Sequence, residues 1–162
     1  MNDDKYSVKL SLSKDDKSGW EVYWDDYMNT IAAPFFKENM DNILQNELDI
    51  KEFTSCLCTF SRGYSDRFPV LSENDTLKEI TDSYATALIY EIYMPESSHY
   101  EGMDGDIQKA LDPYFPNSIV DIYIDVYSDS CYSRCKEEPE KYHDEKPLFS
   151  YDIEIKGKPY QK

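Results

Sequence analysis

The run Asp121-Ile122-Tyr123-Ile124-Asp125-Val126-Tyr127-Ser128-Asp129 alternates aliphatic residues with carboxylates and phenols. In an extended strand, successive side chains point to opposite faces, so Asp121, Tyr123, Asp125, Tyr127 and Asp129 are expected to form one outward row. Alternate residues on a strand lie about 7 Å apart. That interval is close to the spacing of phosphates along a nucleic-acid strand, so the row could present anionic charge in a similar rhythm. The chemistry it offers is the binding of cations. Tyrosines between the acids add flat contact area of the kind that anchors interfaces. Glu91 and Tyr93 alternate in the same way on an earlier apolar run, and Asp152 and Glu154 do so on a later one. Glu96, Glu101, Asp104 and Asp106 extend the anionic surface through the intervening loop.

Bond-making chemistry has less to build on. The chain contains no GxSxG elbow, GxxxxGK[ST] loop, GxGxxG, HExxH or EF-hand loop. His99, in Ser-Ser-His-Tyr-Glu, and His143, in Lys-Tyr-His-Asp-Glu, sit in polar, loop-like contexts, and neither has a cysteine beside it in the sequence. Asp104-Gly105-Asp106 lacks the further ligands of a calcium loop and reads as the entry to a helix. The four cysteines fall as Cys56-Leu-Cys58 and Cys131-Tyr-Ser-Arg-Cys135. Gathered together they could hold zinc, with His143 in reserve, although neither spacing is the usual CxxC. Buried free thiols are the favoured reading. No cofactor is expected, and an enzyme is the less favoured class.

Charge is the strongest signal. The 162 residues include 33 acids and 17 bases, for a net charge of −16. Thirteen of those acids lie between Glu73 and Asp129, alongside only Lys78 and Lys109. Such a polyanion repels nucleic acid and anionic membrane, and attracts cationic partners. With 40% hydrophobic residues and 15 tyrosines, the chain is also far from the aromatic-poor composition of disorder. Its opening residues alternate instead of forming an apolar leader, and no apolar run reaches a membrane span. A cytoplasmic location is therefore expected.

The elements that must position the acids can be read from periodicity. Residues 5–14 and 20–24 alternate as two strands of a hairpin, turning at 15–19. Asn29 or Thr30 could cap a helix reaching Asn46, with Pro34 in its first turn and Ile31, Phe35, Met40, Ile43 and Leu44 on its apolar stripe. Phe53–Phe60 is apolar and compatible with a strand, and residues 61–69 read as loop. Thr76-Leu77-Lys78-Glu79 has the form of a capping box opening a short helix. Strands follow over Thr86–Met94, Ser118–Asp129 and Leu148–Lys156, with a helix at Asp106–Phe115. Residues 130–147 read as a charge-balanced loop. Together these predict one α+β sandwich domain over residues 1–162. Its sheet is expected to be largely antiparallel, with five to six strands and helices mainly on one face.

The expected function is that of an acidic inhibitor, which binds and occludes a basic partner such as a nuclease or a DNA/RNA-binding effector. Two classes fit: an anti-defence DNA mimic such as an anti-CRISPR or anti-restriction protein, and a toxin-neutralising immunity protein. The alternatives are an enzyme or small-ligand binder with a Cys/His site, and a zinc-stabilised accessory protein using Cys56, Cys58, Cys131 and Cys135.

Overall fold

A computed structural model of the protein describes residues 10–15, 19–25, 32–59, 71, 74–84 and 86–158. The expectations that fall on residues 5–9, 16–18, 26–31 and 60–70, including the Asn29/Thr30 cap and Ile31, lie outside the described residues. Strands β1 (Leu10–Asp15) and β2 (Gly19–Asp25) pair antiparallel in a sheet of their own, with an irregularity between Ser11 and Leu12. The remaining described strands are β3 (Thr54–Thr59), β4 (Ala87–Pro95), β5 (Ile119–Tyr127) and β6 (Phe149–Lys156). They form a four-stranded open sheet in the order β3-β4-β5-β6. β3 and β6 run antiparallel to their neighbours, whereas β4 and β5 are parallel.

The sheet is thus mixed, and its four strands replace the five to six largely antiparallel strands expected. Alternation records which residues share a face but carries no information on strand direction. Direction is set here by helix α3 (Met103–Leu111), which carries the chain from the end of β4 back to the start of β5.

Helices α1 (Ala33–Glu47), α2 (Leu77–Ser83) and α3 cover one face. On α1, Phe36, Met40, Ile43 and Leu44 recur at helical spacing and are buried, while Pro34 sits in the first turn, where no intrahelical donor is lost. Phe36 is a core residue that the expected stripe omitted. At the start of α2, the Thr76 hydroxyl accepts from the Glu79 amide at 3.3 Å, and the Glu79 carboxylate accepts from the Thr76 amide at 3.1 Å. The capping box expected at this position is therefore complete.

Helix α3 begins earlier than Asp106 because Met103 is buried along with Ile107 and Leu111, so its apolar stripe starts one turn sooner. Its N-cap is Gly102, at a φ of 85° that favours glycine. The helix ends at Leu111, short of the expected Phe115, and passes into a 3-10 turn holding Pro113.

Leu88, Tyr90, Ile92 and Met94 of β4 and Val120, Ile122, Ile124 and Val126 of β5 face these helices and are essentially inaccessible. Ile153 and Ile155 of β6 join them, but Phe149, which alternates in phase with them, is 45% exposed at the strand's first position. Each fully buried aliphatic side chain contributes about 1.5–3 kcal/mol relative to exposure, so these strands anchor the fold.

The opposite face is not bare. Residues 130–147, expected as a loop, hold all but the first residue of α4 (Asp129–Cys135) and a 3-10 segment, Pro139–Asp144. Ser128 caps α4 by accepting from the Cys131 amide at 3.4 Å. Cys131, Tyr132, Cys135 and Tyr142 pack with Tyr93 and Tyr127 as a second buried cluster on the outer side of the sheet. No helix among the described residues is long and apolar enough to cross a membrane.

Candidate functional site

The outer face is an ordered grid of side chains. Across the strands, Glu91 of β4 pairs with Tyr123 of β5, and Tyr123 pairs with Asp152 of β6. The next row is Tyr93, Asp125 and Ser150, and the preceding row is Ile89, Asp121 and Glu154. Tyr123 therefore stands at the centre of four carboxylates. Glu91 and Asp152 lie opposite it on the neighbouring strands, about 5 Å away, and Asp121 and Asp125 lie two residues off along its own strand, about 7 Å away. Tyr123 is 41% exposed.

Glu91, Tyr93, Tyr123, Asp125, Ser150 and Asp152, together with His143, line an open concavity of about 370 Å³. The second cluster forms its wall. Tyr142 stacks on Tyr93 with ring centres 4.6 Å apart and planes 10° from parallel. His143 stands edge-on to Tyr93 at 6.4 Å. The Tyr127 hydroxyl donates to the Tyr142 carbonyl, and the Tyr142 hydroxyl donates to the Tyr132 carbonyl, both at 3.2 Å. The Tyr93 hydroxyl donates to Glu91 at 2.9 Å, and Ser150 donates to Asp125 at 2.6 Å. Each of these two bonds engages one part of a carboxylate that can accept several, so both acids keep further acceptor capacity. Burial, reinforced by Glu91, pushes the Tyr93 phenol well above its ordinary value, so it remains a donor at any physiological pH. Burial and then Asp125 do the same for Tyr127.

No family model, no curated protein and no solved structure matches the chain.

Of the row expected on β5, Asp121, Tyr123 and Asp125 share the outer face. Tyr127 is buried in the second cluster, and Asp129 belongs to α4, where it accepts from the Ser97 amide at 3.0 Å. The strand ends early because Ser128 caps the helix. Glu91, Tyr93 and Asp152 join the site, while Glu154 lies beside Asp121 and pairs with Lys156 at 2.8 Å.

Glu96 and Glu101 are exposed in the segment after β4. Asp104 and Asp106 occupy the first turn of α3, a helix packed on the other face, and are not brought into the site. Asp106 accepts from the Tyr100 hydroxyl at 3.3 Å and lies 3.6 Å from Lys109.

All four cysteines are free thiols. Cys131 and Cys135 are buried together on α4. Cys56 is half-buried opposite Glu91, and exposed Cys58 lies opposite Ile89. His99 bonds to the Tyr151 hydroxyl at 2.7 Å and stacks on Phe149.

Sequence reasoning left Ser150 and the placement of His143 unassigned. The spacing of Ser128, Cys131, Tyr132 and Cys135 carries the missed signal, an N-cap followed by apolar residues at i+3, i+4 and i+7.

Burial and a neighbouring charge both act on Asp121. Its carboxyl is held above the ordinary value of 3.8, first by burial and then by the Glu154 charge, with Lys156 opposing. A carboxyl whose folded-state value is raised takes up a proton more readily in the native state. Stability therefore falls as pH rises through the window above 3.8, and the cost persists at neutral pH. Asp121→Asn is expected to raise the melting temperature at pH 7, with the gain vanishing below pH 3.8. Thermal unfolding of both proteins across that range checks the sign.

Proposed function

We propose that this protein is an acidic inhibitor whose outer sheet face, centred on Tyr123, covers the cationic cleft of a nucleic-acid-handling protein. The observation that carries the reading is the encirclement of an exposed phenol ring by Glu91, Asp121, Asp125 and Asp152. A lysine or arginine entering the concavity would meet carboxylates on several sides and an aromatic floor, combining charge-assisted hydrogen bonds with a cation–π contact.

Like charges separated by about 7 Å repel by roughly 0.6 kcal/mol even at the dielectric of water. A bound cation relieves several such repulsions together. Because the acids sit on strands anchored in the core, the face is already in its binding geometry and little ordering cost accompanies association. Both an anti-defence DNA mimic, such as an anti-CRISPR or anti-restriction protein, and a toxin-neutralising immunity protein would act this way in the cytoplasm. Direct binding to nucleic acid does not fit the charge.

Competition tests the proposal. Labelled DNA or RNA is bound to basic nucleases and effectors encoded beside this chain, and the protein is then titrated in at about 0.15 M ionic strength. Saturable displacement of nucleic acid from one such protein is expected. Failure to displace it from any of them would overturn the reading.

A further inference from the structure

The two thiols of α4 lie apart from the acidic face in chemistry, although the same cluster supports both. Cys131 and Cys135 are four residues apart on a helix, so their side chains share one face, one turn above the other. They are 8% and 3% exposed. Glu145 reaches them from the chain that leaves the Pro139–Asp144 segment, its amide donating to the Tyr142 carbonyl at 3.1 Å. The two sulfurs and a Glu145 carboxylate oxygen all lie within 4.8 Å of one another. Arg134, on the same helix, pairs with Glu145 at 2.8 Å.

We infer that Cys131, Cys135 and Glu145 form a zinc site with a fourth position open to water or to a partner's side chain.

Two thiolates and one carboxylate are a donor set suited to this borderline-soft ion. Tetrahedral zinc, with bonds of about 2.3 Å to sulfur and about 2.0 Å to oxygen, needs donors roughly 3.3–3.8 Å apart. Closing from 4.8 Å or less demands only side-chain adjustment around a point the three residues already surround. Ligands at i and i+4 of a helix meet the same geometric need in the zinc-binding HExxH motif.

The charges also balance. Two thiolates and a carboxylate carry three negative charges, the ion reduces this to one, and Arg134 offsets the remainder. On binding, two S–H bonds break, two S–Zn bonds form, and two protons leave to solvent, with no change of oxidation state.

The site has a structural consequence. Glu145 lies beyond Tyr142 and His143, so the ion ties to α4 the segment that walls the acidic concavity. The inference does not depend on the proposed function, since binding of the metal alone is what is measured.

Titrating the full chain with cobalt(II) as a spectroscopic stand-in is expected to give thiolate-to-cobalt charge transfer and intense tetrahedral d–d bands at one equivalent. One equivalent of zinc should abolish both. The paired change Cys131→Ser/Cys135→Ser should remove the bands, whereas Cys56→Ser/Cys58→Ser should retain them. Glu145→Gln should weaken affinity by roughly tenfold or more, and it serves as the test if the paired serine variant fails to fold by circular dichroism. Three results would overturn the assignment: no thiolate band, bands that depend on Cys56 and Cys58, or bands that persist in a folded Cys131→Ser/Cys135→Ser protein.

Discussion

Changing Glu91→Gln, Asp125→Asn and Asp152→Asn together is expected to weaken binding of the basic partner by roughly 100-fold, about 2.7 kcal/mol, with the fold intact. These three residues share the concavity with Tyr123, and removing their charge leaves the aromatic floor without its anionic rim. The amide replacements preserve shape and acceptor capacity. A carboxamide at position 91 can still accept from Tyr93, and one at position 125 can still accept from Ser150, so the two hydrogen bonds that orient the site survive. Stability should hold or rise, because each change removes like-charge repulsion from neighbouring strands. Isothermal titration and thermal unfolding, performed on the same preparations, separate the two effects. A folded triple variant that binds its partner as tightly as the parent would place the interface elsewhere.

Asp41→Ala is expected to cost about 3 kcal/mol of stability, lowering the melting temperature by roughly 6–12 °C. Asp41 lies on α1, inside the layer that faces the core. Its carboxylate accepts from Ser55 Oγ at 2.6 Å, from the Tyr90 hydroxyl at 2.5 Å and from Lys37 Nζ at 2.6 Å. It thereby joins the first helix to β3 and β4. Tyr90 is fully buried, and both Ser55 and Tyr90 would lose a charged acceptor with little access to water. Tyr90→Phe removes the donor along with its need and should cost less. Denaturant unfolding of the two single variants and their combination would expose the coupling as a non-additive term. Additive losses would mean the carboxylate is not shared in this way. Neither change touches the outer face, so binding per folded molecule should be unaffected.

The sequence carried the faces of the sheet more faithfully than its topology. Val120, Ile122, Ile124 and Val126 are inaccessible, with Asp121, Tyr123 and Asp125 opposite, as alternation requires. The same rule failed at Tyr127 and Asp129 because it assumes that the strand continues and that its outer side meets water. Ser128 ends the strand, and α4 covers Tyr127. That helix is faint in the sequence because cysteine and tyrosine make a weak apolar stripe within a charge-balanced stretch. Its burial comes from Tyr93, distant in sequence, and from Tyr142 in the 3-10 segment that follows. Phe149 illustrates the opposite failure: it alternates in phase with buried Ile153 and Ile155, but it begins an edge strand beyond the helices' cover. The parallel pairing of β4 and β5 depends on the crossover through α3, and alternation within either strand does not encode it.

The four-carboxylate arrangement around Tyr123 was only half visible. Asp121 and Asp125 follow from one strand, but Glu91 and Asp152 reach the ring only through the registers of β4 and β6. Those registers depend on which apolar residues pack beneath, a tertiary property. His143 reaches the rim because the Pro139–Asp144 segment folds over Tyr93, and its polar sequence context gave no sign of that placement.

Association kinetics across a salt series test the function most directly. For the parent protein and its basic partner, the on-rate should fall by roughly 10- to 100-fold as ionic strength rises from about 0.05 to about 0.5 M. The Glu91→Gln/Asp125→Asn/Asp152→Asn variant should start slower and respond far less to salt. Identical salt dependence in the two proteins would mean that the face around Tyr123 does not steer the encounter.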